Sequence, residues 1–337
     1  MPLTILKGSV VKQDTDIIVN AANNYLQEGG GVCGAIFGKV NDPRLQKECD
    51  KIGYCYTGEA VYTSGYSLCR YIIHTVGPIY KDGTHDEKRL LQNCYRNSLK
   101  LADELKVESI SFPLISSGIY GYPKDEALSD AVEAIGEYLQ DSDLNVSLCI
   151  YENPEEFLTA KNDILREKEE RKHFAFAKKN YSAPSFSMLT NESCNKADEY
   201  DYEEIEACLS SFIPVDNIDE LIKKKNLTFS QAVFKIIDTK GFSDTEVYKR
   251  ANIDRRVFSK IRSDIDYHPS RQTALALVIA LELQPDEADE LMKKAGFAFS
   301  DVDKTDIIIR HYIENGEYNI HKINETLFIY DQKCLGV

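Results

Sequence analysis

This sequence lacks any apolar run long enough to cross a membrane. Its longest apolar stretch, residues 274–283, contains a glutamate, whereas a membrane-spanning helix needs about 20 consecutive apolar residues. No apolar segment typical of a secretory signal peptide follows Met1. The nine cysteines are odd in number and include no C-x-x-C pair, which favours reduced thiols over a disulfide framework. We therefore expect a cytoplasmic protein with free cysteines.

Basic residues are also fewer than acidic residues. The 40 lysines and arginines face 55 aspartates and glutamates, which gives a net charge of −15. This balance disfavours general affinity for nucleic acids or anionic membranes, although a local basic face remains compatible with it. The chain has 337 residues, of which 43% are hydrophobic, so it is long enough for two folded units with real cores.

Strand-like and helix-like segments alternate in the first half of the chain. The helical spacing of leucines is clearest over residues 86–105. Because this alternation is typical of strands joined by helices, we predict an α/β fold with a mixed, mainly parallel sheet. The predicted strands are residues 16–22, 59–65, 70–76, 109–115 and 146–151, and the predicted helices are residues 43–52, 86–105 and 124–140.

The second half is helical in pattern and follows a polar, acidic linker. Gly241 marks a predicted helix end, and Ser243 with Glu246 three residues later marks a predicted helix start. Five short helices are predicted before residue 300, and one or two after it. The changes of pattern divide the chain into residues 1–170 as the α/β domain, 171–209 as a charged helix and linker, 210–300 as a compact all-α domain and 301–337 as a helical extension.

Two glycine-rich loops follow predicted strands, at residues 28–37 and 116–123. In α/β sheets, ligands bind at loops beyond the carboxyl ends of the strands. Glycines there let backbone N–H groups approach phosphate oxygens closely, and a following helix N-terminus favours negative charge. Two such loops on one sheet suit a ligand with two phosphates. A role as turn residues alone stays open for either loop, since single glycine motifs are common.

Two familiar phosphate motifs fit the first loop poorly. Gly29, Gly31 and Gly34 match the dinucleotide fingerprint G-x-G-x-x-G, but an asparagine-rich segment separates them from the preceding strand. The P-loop pattern fails because Cys33 and Val40 stand where it requires glycine and serine or threonine. An NAD-dependent oxidoreductase would also need a nicotinamide cleft and a hydride acceptor, for which the sequence offers no candidate.

Three motifs in this order resemble the macrodomain family, in the branch that includes the MacroD-type ADP-ribosyl hydrolases. They are DIIVNAANNYLQEGGGVCGAIF (16–37), HTVGPIY (74–80) and FPLISSGIYGYP (112–123). The resemblance covers about residues 1–165 and implies a three-layer α/β/α fold that binds ADP-ribose, with no metal and no other cofactor. The implied activity is hydrolysis, which releases ADP-ribose from modified acidic side chains of proteins or acetate from O-acetyl-ADP-ribose.

The resemblance also implies roles for individual residues. Asn23 would hydrogen-bond the ribose whose C1″ atom carries the group to be removed, and Asn20 would brace the loop. Tyr151 would stack on the adenine, and Ser9 stands where an aspartate usually reads the adenine amino group. The implied ligand-binding residues are Ser9, Val10, Gly29, Gly30, Gly31, Val32, Cys33, Ser116, Ser117, Gly118, Ile119, Tyr120 and Tyr151.

The first loop departs from that branch at two positions. Cys33 stands where an aspartate is usual, and Phe37 stands where a histidine is usual. A thiolate at Cys33 could act as nucleophile or base if the helix N-terminus lowered its pKa, but most free cysteines behave as small hydrophobes. His74 is expected to be a structural strand residue and Phe37 a core residue. The candidate catalytic residues are Asn23, Asn20 and Cys33.

Residues 229–297 resemble the five-helix Xre-type helix-turn-helix domain. In that resemblance residues 244–253 form the first helix of the motif, and residues 254–264 form the recognition helix. The charges over residues 211–300 sum to about zero, which gives DNA binding little electrostatic support. A protein-interaction module is therefore the alternative. The possible DNA-contacting residues are Arg255, Arg256, Lys260 and Arg262.

The sequence as a whole predicts an ADP-ribose-binding hydrolase with an attached helical module. The alternative comes from a different functional class: a sensor that binds an ADP-ribose-type ligand without turnover and signals to DNA or a partner protein through its helical half. Catalytic turnover separates the two hypotheses.

Overall fold

The computed structural model describes residues 2–151 and 227–336. The predicted charged helix and linker, and the start of the predicted helical domain, lie outside the described residues. The sheet has six strands: β1 (Leu3–Lys7), β2 (Ile17–Ala21), β3 (Ala60–Ser64), β4 (Tyr71–Thr75), β5 (Ser109–Pro113) and β6 (Asn145–Ile150).

These strands lie in the order β1-β6-β5-β2-β4-β3. All neighbouring pairs are parallel except β3 and β4, which are antiparallel. The predicted mixed, mainly parallel sheet is therefore confirmed. The sequence patterns predicted five of the strands and missed β1, a short strand in which the buried Leu3 and Ile5 alternate with less buried residues.

Helices cover both faces of the sheet. They are α1 (Gly31–Val40), α2 (Pro43–Ile52), α3 (Glu87–Glu104) and α4 (Lys124–Tyr138). One core packs Leu91 and Leu99 of α3 and Leu128 of α4 against the sheet, and a second core packs Ile36 of α1 and Leu45 of α2 against the opposite face. The layers are therefore helix, sheet and helix, which confirms the predicted α/β/α arrangement.

The glycine-rich segment is more helical than its composition indicates. Residues 28–37 are predicted as a loop, but the loop ends at Gly30, and α1 begins at Gly31. Glycine destabilises a helix interior by about 1 kcal/mol relative to alanine. Burial of Ile36 and Phe37, which are 0% and 8% exposed, offsets that cost. The buried position of Phe37 confirms its predicted place in the core.

Seven further helices follow residue 227. Thr228 forms a capping box with Gln231 at the start of the first, and Gly241 ends that helix in the left-handed conformation at φ 74°. Ser243 accepts a hydrogen bond from the N–H of Glu246, as the sequence predicts. The helices are α5 (Phe229–Lys240), α6 (Asp244–Arg250), α7 (Arg255–Ser263), α8 (Arg271–Ala280), α9 (Pro285–Lys294), α10 (Lys304–Glu314) and α11 (Ile320–Ile329).

These helices form one core and also pack against the sheet. Residues of α10 and α11 share a buried cluster with those of α5 to α9, whereas Phe328 and Ile329 of α11 join the core that contains β1 and α4. Asn252, in the turn between α6 and α7, accepts a hydrogen bond from the N–H of Leu3 at 2.7 Å and donates one to its carbonyl at 3.0 Å. The edge strand β1 thus gains a side-chain partner where a further strand would otherwise pair.

Within the described residues, no helix has the length and apolar character that a membrane span requires.

Candidate ligand-binding site

The two glycine-rich loops lie side by side at one edge of the sheet. Strands β2 and β5 are parallel neighbours, so the loops that follow them leave from the same edge. A Cβ atom built on Gly30 would lie 3.8 Å from Cδ1 of Ile119, which places the two loops as facing walls. Ile119 is 87% exposed and therefore stands at the mouth of the site.

Backbone N–H groups on both walls are available to an acceptor. Gly31, Val32 and Cys33 form the first turn of α1, whose N–H groups have no partner within the helix. On the second wall, the carbonyls of Ser116, Gly118 and Tyr120 accept backbone hydrogen bonds, whereas none of the backbone bonds in the described residues is donated by an N–H of residues 116–120. This arrangement, with a helix N-terminus on one side, favours an anionic ligand.

Two of the glycines are required because neighbouring atoms leave no room for a Cβ atom. A Cβ atom on Gly34 would lie 2.5 Å from the carbonyl oxygen of Gly29, so only glycine allows α1 to start so near the loop. A Cβ atom on Gly77, in the loop after β4, would lie 2.1 Å from Oγ of Ser116 and 2.7 Å from Cγ2 of Ile115. Gly77 therefore permits the second wall to rest on the loop after β4.

Ser116 combines an uncommon backbone with an unpaired hydroxyl. Its φ is 64°, which is left-handed and unfavourable for a residue with a side chain. Its side chain is 7% exposed, and its Oγ has no hydrogen-bond partner among the described residues. The neighbouring Ser117 donates to the carbonyl of Leu114 at 2.8 Å. A buried, unpaired hydroxyl is costly, and this one is covered by Gly77 in the loop after β4.

Asn23 shapes the first loop through every polar atom of its side chain. Its Nδ2 donates to the carbonyl of Gln27 at 2.7 Å, and its Oδ1 accepts from the N–H groups of Tyr25 and Gln27, both at 3.2 Å. The amide lies beside Gly29, whose Cβ would be 3.8 Å from Nδ2. The predicted ribose-binding residue therefore also fixes the turn that leads into the glycines.

A buried polar chain lies beneath this loop. Asn20 is 1% exposed and His74 is 0% exposed. The Nδ2 atom of Asn20 lies 3.6 Å from Sγ of Cys33 and 3.1 Å from Nδ1 of His74, and Nε2 of His74 lies 2.9 Å from Oγ1 of Thr63. With Nδ1 accepting from Asn20, Nε2 carries the proton and donates it to Thr63. His74 is thus the strand residue that the sequence predicts, and it also holds Asn20, which the sequence did not indicate.

The electrostatics of the buried chain oppose a reactive thiolate. Burial raises the pKa of the Cys33 thiol, even though hydrogen bonds from Asn20 and Gly29 act in the opposite direction. Burial lowers the pKa of His74 to about 4, so this imidazole is neutral at pH 7. Cys33 therefore remains a protonated thiol next to a neutral amide, which is the environment of a packed cysteine rather than of a nucleophile.

The residues implied for adenine lie at the same edge of the sheet, beyond β1 and β6. Tyr151 directly follows β6 and is 81% exposed. Ser9 precedes a 3₁₀ turn, Val10–Lys12, and its carbonyl accepts from the N–H of Lys12 at 3.1 Å. Val10 is 4% exposed and packs in the core beneath α1. Because β1 and β6 are parallel neighbours, Ser9 and Tyr151 leave the sheet close together.

The basic residues of the helical region are exposed but not all free. Arg255, Arg256 and Lys260 project from α7 into solvent. Arg262 forms an ion pair with Asp244, and its guanidinium lies 4.3 Å from the ring centroid of Phe234. A surface groove of about 550 Å³ lies beside Phe234 and Arg262, away from the glycine-rich loops.

One cluster outside the loops has the side chains of a metal site. Ligand atoms of Asp82, His85 and Glu87 lie within 4.8 Å of one another. However, the Glu87 carboxylate accepts hydrogen bonds from the N–H groups of Lys81 and His85, and Oδ1 of Asp82 accepts from Thr84. The hydrogen bonds of Glu87 and Asp82 thus order the turn that leads into α3.

Comparisons with known proteins concern the first half of the chain. The family model described as "Macro domain" matches residues 19–131. A macro domain-containing protein of Methanosarcina mazei is 48% identical over 143 residues, which are 42% of this chain and 76% of that protein. A macrodomain of Oceanobacillus iheyensis solved with ADP is 39% identical, covers 49% of this chain and 91% of its own, and has a TM-score of 0.43. A Trypanosoma brucei macrodomain solved with ADP-ribose is 36% identical, with a TM-score of 0.42 over 44% of this chain and 64% of its own.

Proposed function

The chain belongs to the macrodomain family, and from that premise we propose that it binds ADP-ribose between its two glycine-rich loops and hydrolyses ADP-ribosyl esters there. The observation that carries the proposal is the pair of facing walls, on which N–H groups of residues 31–33 and 116–120 are available to an anion. A diphosphate is an anion of the right kind for two opposed sets of backbone donors.

The remaining contacts follow from the position of the diphosphate. The adenine would lie toward Ser9 and Tyr151, where an exposed aromatic ring stands at the end of β6. The other ribose would lie toward Asn23 and Tyr120. Ser116 would contribute its backbone N–H to the donors of the second wall. Ser9 provides a neutral acceptor for the adenine amino group, which is weaker than the charge-assisted bond of a carboxylate.

The chemistry would be addition of water to an ester that links a carboxylate to C1″ of the ribose. One C–O bond breaks, and the products are ADP-ribose, the free carboxylate and a proton. Burial raises the pKa of the Cys33 thiol, which disfavours a thiolate nucleophile. The ligand's own diphosphate would then orient the water, and the protein would contribute positioning and exclusion of bulk solvent. Positioning alone accounts for several kcal/mol in well-oriented reactions, on the order of 7.

The gap between the walls provides a direct test of binding. Gly30 has φ −82° and ψ −177°, so a larger residue is compatible with its backbone, and its Cβ would point toward Ile119. We expect Gly30→Leu to abolish ADP-ribose binding in isothermal titration calorimetry while the protein stays folded. Gly38→Leu is the matched control, because Gly38 is an exposed residue of α1 with no atom within 4 Å of its Cβ position. Unchanged binding by Gly30→Leu would contradict the proposed site.

Turnover separates the enzyme from the sensor. Release of ADP-ribose from a mono-ADP-ribosylated acidic protein by the wild type, and its loss in Asn23→Ala, would support hydrolysis. Tight binding of ADP-ribose without any release would support the sensor instead.

A second candidate function concerns the helical region, and the exposure of Arg255, Arg256 and Lys260 on α7 favours it. In this alternative, the Xre-like helices bind DNA, and the macrodomain acts as a sensor that binds an ADP-ribose-type ligand. Duplex DNA binding would weaken with salt and be lost in Arg255→Ala/Arg256→Ala. Arg44→Ala, which removes an exposed arginine of α2, is the control. A partner protein would replace DNA if no salt-sensitive DNA binding were measured.

A further inference from the structure

Three exposed tyrosines form a cluster beside the first glycine-rich loop. Tyr25, Tyr54 and Tyr56 are 67%, 43% and 66% exposed. The ring centroids of Tyr25 and Tyr54 lie 5.3 Å apart, and those of Tyr54 and Tyr56 lie 4.9 Å apart, both in edge-to-face geometry. We call these residues the tyrosine cluster. Aromatic rings are usually buried on at least one side, so an exposed group of this size indicates a binding surface.

The cluster rests on a firm backbone connection. The N–H of Cys55 donates to the carbonyl of Asn24 at 2.9 Å, and Nδ2 of Asn24 donates to the carbonyl of Cys55 at 3.0 Å. These two bonds join the segment that carries Tyr25 to the segment that carries Tyr54 and Tyr56. A surface ordered before it meets its partner loses less entropy when it binds.

The position of the cluster relates it to the proposed reaction. Tyr25 is two residues from Asn23, whose Oδ1 accepts from the N–H of Tyr25 at 3.2 Å. On the proposed function, Asn23 faces the ribose that carries the group to be released. Whatever is attached to that ribose must therefore leave the site on this side. An acetyl group is too small to reach an exposed aromatic surface, whereas a polypeptide would run across it.

The chain segments that carry the cluster contain more acidic than basic residues. Residues 23–30 and 50–59, which carry the three tyrosines, contain the carboxylates of Glu28, Asp50 and Glu59 and a single basic residue, Lys51. Hydrogen bonds from Gln46 and Gln27 hold the pKa of Asp50 below its usual value, so this carboxyl is ionised at pH 7. Negative charge beside exposed aromatic rings favours lysine and arginine side chains, which bind both carboxylates and ring faces. The same charge repels nucleic-acid phosphates.

We propose that the tyrosine cluster is a docking surface for the polypeptide that flanks the ADP-ribosylated side chain, and that it selects flanking sequences rich in lysine or arginine. This inference rests on the proposed function, because the modified residue must occupy the loops for its flanks to reach the cluster. It adds to that function a second surface and a sequence preference.

The test compares two synthetic peptides that carry ADP-ribose through a hydrolysis-resistant amide linkage. One peptide has lysines and leucines on both sides of the modified residue, and the other has glutamates in place of the lysines. Titration calorimetry with the full chain gives the affinity for each peptide and for free ADP-ribose. We expect the wild type to bind the lysine peptide roughly five- to tenfold more tightly than the glutamate peptide.

The variants identify the surface responsible. We expect Tyr25→Ala/Tyr56→Ala to lose most of the preference between the peptides and to bind free ADP-ribose as the wild type does. The control is Tyr62→Ala, which removes a tyrosine that is 46% exposed and lies on the opposite face of β3 from the buried Thr63. This control should keep the preference.

Several outcomes would overturn the inference. They are equal affinity of the wild type for both peptides, an unchanged preference in Tyr25→Ala/Tyr56→Ala, or an equal loss in Tyr62→Ala. An ADP-ribosylated single-stranded oligonucleotide that binds more tightly than the lysine peptide, and loses affinity in the double variant, would assign the cluster to bases instead. Absence of binding to free ADP-ribose would overturn the proposed function itself, whereas normal binding of ADP-ribose with no peptide preference would overturn the docking surface alone.

Discussion

The side-chain amide of Asn20 donates to Nδ1 of His74 at 3.1 Å, across the parallel strands β2 and β4. Both residues are fully buried beneath the first glycine-rich loop. The same amide reaches Sγ of Cys33 in the first turn of α1. The bond therefore links the centre of the sheet to the wall of the candidate site.

Removing the imidazole should cost stability. His74→Phe would remove a close hydrogen-bond partner from Nδ2 of Asn20 and from Oγ1 of Thr63, which would keep only longer contacts with Sγ of Cys33 and the carbonyl of Ser64. Each lost buried hydrogen bond costs about 1–2 kcal/mol. We expect the free energy of unfolding, measured by urea denaturation, to fall by about 2–4 kcal/mol. His268→Phe changes an exposed histidine and should leave stability nearly unchanged. Similar losses in the two variants would contradict a structural role for the pair.

The same histidine should make the fold sensitive to acid. Burial lowers the pKa of His74 to about 4, below its ordinary value of about 6.5, so the unfolded chain binds a proton more readily than the folded chain. Its contribution to stability is therefore complete above about pH 6.5 and is lost as the pH falls toward 4, by up to about 1.4 kcal/mol per pH unit. Denaturation curves at several pH values should show this slope in the wild type. His74→Gln, which does not titrate, should have a shallower slope, and an equal slope would argue against the assignment.

The thiol of Cys33 should be dispensable for turnover. Burial raises its pKa, so very little thiolate is present at pH 7 to attack a substrate. We expect Cys33→Ala to keep turnover of an ADP-ribosylated protein within about threefold of the wild type, since the buried thiol is not needed as a nucleophile and alanine is also a small apolar residue. A loss as large as that of Asn23→Ala, measured in the same assay, would restore the catalytic thiol.

Gly77 should matter to a site that it does not line. A methyl group there would lie 2.1 Å from Oγ of Ser116, so Gly77→Ala must displace the second wall. We expect at least a tenfold loss of ADP-ribose affinity together with about 1–3 kcal/mol of lost stability, the usual cost of overpacking. Gly38→Ala, at an open and exposed position of α1, is the control for an added methyl group.

Asn252 should hold the helical region against β1. Its side chain exchanges two hydrogen bonds with the backbone of Leu3, and its φ of 54° is left-handed. Asn252→Gly retains the backbone preference and loses only the side chain, so it should cost less stability than Asn252→Ala, which loses both. We expect losses of about 2 and 3 kcal/mol respectively. Equal stability of both variants and the wild type, measured by thermal unfolding, would show that the contact contributes nothing.

Local patterns were sufficient to predict most of the elements. The apolar segments around Ile18, Ile72 and Ile110 became strands because burial on both faces requires continuous apolar residues. Gly241 and Ser243 marked helix ends through hydrogen bonds within four residues. β1 was missed because its alternation spans only five residues, and α1 was missed because its glycines lower the local preference that tertiary burial overrides.

The candidate site was likewise predicted from the sequence only in part. The glycine-rich motifs predicted the positions of the two walls, since glycine is required where backbones approach closely, as at Gly34. The roles assigned to Asn23, Tyr151 and Arg255 stay predictions until binding and turnover are measured. No spacing in the chain indicated the tyrosine cluster, because Tyr25 and Tyr54 are distant in sequence and meet only through the bonds between Asn24 and Cys55.

The sequence by itself determined five of the six described strands, the helix boundary at Gly241 and Ser243 and the positions of the two glycine-rich segments, because each depends on side-chain patterns or backbone freedom within a few residues. Only the tertiary structure decided which residues meet: His74 under Asn20, Gly77 under Ser116 and Asn252 beside Leu3. Such contacts depend on strand order and packing, which join positions as far as 249 residues apart. For the same reason, the state of Cys33 follows from burial rather than from its place in a motif.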